Sequence, residues 1–96
     1  MLLAMDRIIQ TLTPQVSDGD GHAYRARVIG RERDDGMWDG WLEFRPRGAG
    51  GLPRRTPTET TQPSLKALRY WASGLEAVYL EGALERAISR RRVRKR

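Results

Sequence analysis

The feature that most constrains this chain is a pair of alternating runs on either side of Asp34-Asp35-Gly36. In residues 23–32, Tyr24, Ala26 and Val28 alternate with Arg25, Arg27 and Arg31, while Ile29 breaks the pattern by falling on the arginine side. In residues 38–45, Trp38, Leu42 and Phe44 share one side, and Asp39, Trp41, Glu43 and Arg45 share the other. A two-residue period sends successive side chains to opposite faces of a strand. An Asp-Gly pair between two such runs predicts a tight antiparallel hairpin. One face then supplies the sheet side of a hydrophobic core. On the other, Arg25, Arg27 and Arg31 are expected to oppose Asp39 and Glu43, each cross-strand pair contributing about 0.2–1 kcal/mol.

The flanking segments extend this nucleus in both directions. Residues 7–13 are rich in β-branched side chains and predict a first strand ended by Pro14, which lacks an N–H. A helix over residues 2–12 is the competing reading of the same short apolar run. Ser17-Asp18-Gly19-Asp20-Gly21 reads as a turn. Residues 47–52, with three glycines, read as a flexible loop. Residues 54–61 read as an edge-like strand, because Pro57 cannot donate to a ladder.

A helix should follow, capped by Thr61 or Gln62 and carrying Pro63 in its first turn. Its apolar stripe is Leu65, Leu68, Trp71, Ala72 and Leu75, and Gly74 is the expected left-handed terminator. Ala77, Leu80, Leu84, Ala87 and Ile88 repeat the helical period and predict a second helix over about residues 76–89; a strand at residues 77–80 is the alternative. The expected class is α+β: a three- to four-stranded antiparallel meander, then one or two C-terminal helices packed on one face. Residues 1–89 form the expected single domain, and residues 90–96 a basic, disordered tail.

Charge is concentrated at that tail. The chain of 96 residues carries 18 Lys and Arg against 12 Asp and Glu. Six of the cations (Arg90, Arg91, Arg92, Arg94, Lys95 and Arg96) lie in the last seven positions, which leaves 12 cations against 12 acids in the body. Such a tail can neutralise several phosphates without reading sequence. The readings open to it are nucleic acid, an anionic membrane surface, an acidic protein, or a solubilising end. A helix continuing into the tail would be ringed by charge rather than striped.

Chemistry finds few footholds. There is no cysteine, which excludes disulfides, thiolate metal sites and cysteine nucleophiles. His22 is the one histidine. With Ser17, Asp18 and Asp20 it could be imagined as a nucleophile–base–orienter set, but all four fall in a glycine-rich turn, and an ordinary turn histidine is the better reading. Counting Asp18 as the first position of a calcium loop puts Ile29 where a bidentate glutamate is needed. No phosphate-cradling glycine motif occurs. No catalytic residue, metal or cofactor is therefore expected. The apolar start, Met1 to Met5, is far shorter than the roughly 20 residues that span a bilayer and lacks the pattern of a secretory signal, so a cytoplasmic location is expected.

Three aromatic positions stand apart: Trp38, Trp41 and Trp71. Trp38 and Trp71 fit apolar faces. Trp41 falls on the charged face, where an open indole beside Arg25 and Arg27 would serve as a stacking residue; the alternative is that long arginine stems cover it.

Asp35-Gly36 with Trp38, Gly40-Trp41-Leu42-Glu43-Phe44, Glu59-Thr60-Thr61-Gln62-Pro63 and Tyr79-Leu80-Glu81-Gly82-Ala83-Leu84 together make the span from Tyr24 to Ala87 resemble a group of small uncharacterised bacterial proteins. That resemblance covers about two-thirds of the chain, leaves out the arginine tail, and implies no activity. The element order is also similar to the strand-hairpin-strand-helix domains of small antitoxins, although the motifs differ, and element order alone does not license function. The expectation for function is a non-catalytic module for an anionic partner, nucleic acid or an acidic protein. Its candidate contacts are Trp41, Arg25, Arg27 and the tail cations. A protein–protein adaptor is the alternative.

Overall fold

The computed structural model describes residues 5–48 and 52–94, with side chains to residue 89. Five antiparallel strands, β1 (Asp6–Ser17), β2 (Ala23–Glu32), β3 (Trp38–Pro46), β4 (Arg54–Arg55) and β5 (Thr60–Gln62), precede two helices, α1 (Leu65–Ser73) and α2 (Ala77–Arg94). The sheet order is β1-β2-β3-β4, with β5 pairing further along the same side of β3. This is the α+β class that the alternation and helical periods predict.

The central hairpin forms as its sequence dictates. Arg33 N–H donates to Met37 O at 2.7 Å and Gly36 N–H to Arg33 O at 3.0 Å, and Gly36 has a φ of 85°, a value glycine reaches without steric cost. From there Gly30 faces Gly40, Val28 faces Leu42 and Ala26 faces Phe44, which fixes one apolar face and one charged face.

The first strand departs from expectation at Pro14. β1 runs on through the proline to Ser17, and its register with β2 shifts between Ile8 and Gln10 and again between Thr11 and Gln15. Pro14 thus sits inside an irregularity where no ladder bond is required of it, so it interrupts pairing without ending the strand. The fourth strand position shows the opposite behaviour. The segment expected over residues 54–61 is split into β4 and β5 around Pro57. Between them Thr56, fully buried, donates its N–H to Leu42 O at 2.9 Å and accepts the Leu42 N–H on Oγ1 at 3.1 Å.

Helix α1 begins two or three residues later than its sequence suggests, so that Pro63 precedes the cap instead of lying in the first turn. Ser64, not Thr61 or Gln62, is the cap, accepting the Ala67 N–H on Oγ at 3.0 Å. At the other end Gly74 has φ −95° rather than a left-handed value. α2 runs past residue 89 to Arg94. α1 packs on β1, β2, β3 and β5, and α2 on β1 and β4. Between them and the sheet lies the core: Leu12, Val16, Tyr24, Ala26, Val28, Leu42, Phe44, Ala72, Leu80, Ala83 and Leu84. Of the expected α2 stripe, Ala77 is instead exposed.

Helix α1 packs directly on the glycine pair through Leu68. A Cβ on Gly30 would lie 2.7 Å from Leu68 Cδ2, and one on Gly40 2.7 Å from Leu68 Cδ1. Two facing glycines thus leave a socket in the sheet, and Leu68, fully buried, fills it.

Candidate functional site

Both helices lie on the Tyr24, Ala26, Val28 face, so among the described residues no helix covers the opposite face of the sheet. Register places Arg25, Arg27 and Arg31 of β2 and Asp39, Trp41, Glu43 and Arg45 of β3 on it. Asp6 and Ile8 of β1 and Arg55 of β4 join them. The Arg47 N–H donates to Ala23 O at 2.8 Å, which continues the ladder and puts Arg47 on the same face.

The pairings are only in part the expected ones. Arg27 holds the Glu43 carboxylate through Nε at 2.8 Å and also through Nη2. Arg31 stands between two acids, Asp6 opposite it on β1 and Asp39 opposite it on β3, and its Nε bonds Asp6 at 2.6 Å. The Asp6 bond, joined by attraction to Asp6 and Asp39, outweighs desolvation and raises the Arg31 pKa. Asp39 takes a hydrogen bond from Thr61 Oγ1 at 2.7 Å and an ion pair from Arg33 at 3.6 Å. Arg25 does not face an acid. Its cross-strand partner is Arg45, and its buried Nε has no hydrogen-bond partner among the described residues.

Trp41 is 5% exposed, so it is no open stacking ring. The arginine stems cover it: the Arg55 guanidinium carbon lies 4.5 Å from the indole centroid, and that of Arg31 5.6 Å. These are Arg31 and Arg55 rather than the Arg25 and Arg27 expected from β2 alone. Ile29, the residue that broke the alternation, pairs with Trp41 across the ladder and is 1% exposed. Together they form an apolar shelf beneath the cations, where a ring face attracts a guanidinium by about 0.5–2 kcal/mol.

Of the tail cations, Arg90, Arg91, Arg92 and Arg94 lie on α2, their side chains outside the described set; Lys95 and Arg96 lie outside the described residues altogether.

The turn set resolves into a structural knot. Asp18 accepts the Asp20 and His22 N–H groups on Oδ1, each at 2.9 Å. Its Oδ2 meets His22 Nδ1 at 2.9 Å and the Tyr24 hydroxyl at 3.3 Å. Burial pushes the Asp18 carboxyl up, but the His22 and Asp20 bonds together outweigh it and leave the pKa lowered to about 2. Donor atoms of Asp18, Asp20 and His22 lie within 4.8 Å of one another, yet the Asp18 oxygens are spent on the turn itself. Ser17 makes no bond to His22, and the nucleophile position of the imagined triad is not assembled.

One site-like cluster has no sequence forewarning. Glu59, whose side chain is 8% exposed, accepts the Tyr79 hydroxyl at 2.5 Å and Arg86 Nη2 at 2.7 Å. Arg86 also lies 5.6 Å from the Tyr79 ring centroid, and Tyr79 meets Trp71 edge-on at 6.3 Å. Desolvation first, and then the Glu59 bond, push Tyr79 up to about 12. The cluster fastens α2 to the segment leading into β5. A separation of 20 residues between Glu59 and Tyr79 leaves no local pattern by which to find it.

No helix among the described residues is long and apolar enough to cross a membrane. Compared with protein-family models, curated proteins and solved structures, the chain gives no significant match to any.

Proposed function

We propose that this protein is a non-catalytic binding module for an anionic partner, nucleic acid, held by the bare sheet face with help from the basic C-terminal segment. The observation that carries the reading is the composition of that face. Arg25, Arg27, Arg31, Arg45, Arg47 and Arg55 stand on it against Asp6, Asp39 and Glu43. The body as a whole is charge-balanced, so this excess is a matter of placement. An arginine-rich sheet face that no described helix covers suits a phosphate backbone, which is bound by charge and without regard to sequence. Trp41 contributes as the shelf that holds Arg31 and Arg55 in place.

Fluorescence anisotropy with labelled single-stranded RNA and duplex DNA, at low and physiological salt, tests this. The full chain is compared with one ending at Ser89. Binding that persists in the shortened chain at physiological salt supports the sheet face. Loss of all binding with the last seven residues refutes it.

A protein–protein adaptor is the second reading, favoured by Ile8 on the outer strand β1 and Met5 just before it, which are 47% and 64% exposed. A solution mass that rises with concentration would select it.

A further inference from the structure

On the strength of that reading, we propose that Arg25, Arg45 and Arg47 form a seat for one phosphate oxyanion, the point at which a nucleic-acid backbone is gripped on the sheet face. The three occupy one end of the face. Arg25 and Arg45 stand directly opposite each other across the β2–β3 ladder, and Arg47, exposed, follows on the same side. Like charges directly opposed across a ladder are destabilising, so this corner is an electrostatic cost that the rest of the face avoids. Further along the face Arg27 holds Glu43 and Arg31 holds Asp6. Arg45 has only a 3.9 Å contact with that same Glu43 and remains 61% exposed.

Arg25 adds an independent sign. Its Nε is buried yet has no hydrogen-bond partner among the described residues, and a buried donor left without an acceptor is unfavourable. Directly opposite on β1 stand Gln15, across from Arg25, and Ser17, across from Ala23, neither of them acidic; the nearest turn acids are Asp18, whose oxygens are taken by Asp20, His22 and Tyr24, and exposed Asp20. An oxyanion between the guanidinium groups relieves the repulsion and supplies acceptors for planar forked donors, the geometry that suits arginine to phosphate. A phosphodiester meets these requirements whatever base it carries, so the seat adds affinity and no sequence preference.

The test uses the full chain and the surface variants Arg45→Gln and Arg47→Gln, with Arg69→Gln on α1 as a control of equal charge loss. Two readouts are taken. Inorganic phosphate is titrated while the arginine Nε–H resonances are followed, and single-stranded RNA binding is measured over a range of salt. The expected results are movement of the Arg25 Nε–H signal with phosphate, and for each seat variant a salt slope shallower by about 0.7. Arg69→Gln should change neither readout. If RNA binds but the seat variants match the control in slope and the Arg25 signal stays still, the seat is overturned while the nucleic-acid reading stands. If RNA does not bind yet phosphate moves Arg25 in the parent and not in Arg45→Gln, the seat stands and the nucleic-acid reading falls. Silence in both readouts overturns both.

Discussion

Adding a single carbon to the glycine socket should unsettle the sheet, and removing its plug should make that carbon harmless. In Gly40→Ala the new Cβ would lie 2.7 Å from Leu68 Cδ1 and 3.3 Å from Thr60 Cγ2, about 1 Å inside the usual carbon–carbon contact distance for the first of these. Leu68 is fully buried and has little room to swing aside. Overpacking of this kind costs about 1–3 kcal/mol. Leu68→Ala removes three buried carbons at about 0.8 kcal/mol each, and with the cavity left behind the total should fall within about 2–5 kcal/mol. In the double variant the alanine methyl occupies space that Leu68 vacated, and Gly40, whose φ is not positive, accepts a side chain without backbone strain. Most of the Gly40→Ala cost should therefore disappear in the Leu68→Ala background, leaving only the 3.3 Å contact with Thr60 Cγ2. That gives a favourable coupling of about 1–3 kcal/mol, the range seen between residues in contact. Urea unfolding followed by tryptophan fluorescence measures all four corners of the cycle. Since a domain of this size is stable by only about 5–14 kcal/mol, each single variant should show a clear drop in midpoint. Costs that add within about 0.5 kcal/mol would mean that Leu68 does not fill the socket, and the argument for how α1 is seated would fail.

Three further outcomes follow from the same structure. Asp18→Asn should lower the melting temperature at neutral pH and flatten the acid limb. With the folded carboxyl at about 2 against an ordinary 3.8, its stabilisation is present above about pH 4 and lost as pH falls toward 2; an unchanged acid limb in the variant would contradict this. Tyr79, raised to about 12 from 10.0, stabilises the fold below pH 10 and ceases to do so as pH climbs through 12. Ultraviolet titration should show Tyr79 ionising late, and Glu59→Gln should bring it earlier. Trp41→Ala should cost about 3–5 kcal/mol as a buried aromatic truncation. A loss under 1 kcal/mol in the same urea assay would mean that the indole is not the shelf described here.

The parts of the fold that could be read from the residues are those set by local period. Alternation located the β2–β3 hairpin and its two faces, and the recurrence of Leu68, Ala72, Leu80 and Leu84 located the helical layer. What could not be read depends on contacts distant in sequence. Pro14 looks like a terminator until pairing with β2 shows an irregular register around it. Ser64 wins the cap because its extended backbone aims Oγ at the Ala67 N–H, which no ranking of Thr61, Gln62 and Ser64 decides. The same limit applies to the candidate site. Arg25, Arg27 and Trp41 could be assigned to one face from β2 and β3, but Arg55 enters from β4, so the partner covering the indole was invisible to a two-strand argument. Arg31 similarly bonds Asp6, its opposite number on β1, rather than Asp39, its opposite number on β3.

The stacking of Arg55 and Arg31 on Trp41 has an optical consequence. An indole with a guanidinium carbon 4.5 Å from its centroid and a second at 5.6 Å emits under an electric field set by where those cations sit. With Trp38 and Trp71 replaced by phenylalanine, the emission of the remaining ring becomes a gauge of that field. An anion drawing Arg55 or Arg31 off the ring registers as a shift in colour, so the sheet face carries its own dye for reporting occupancy.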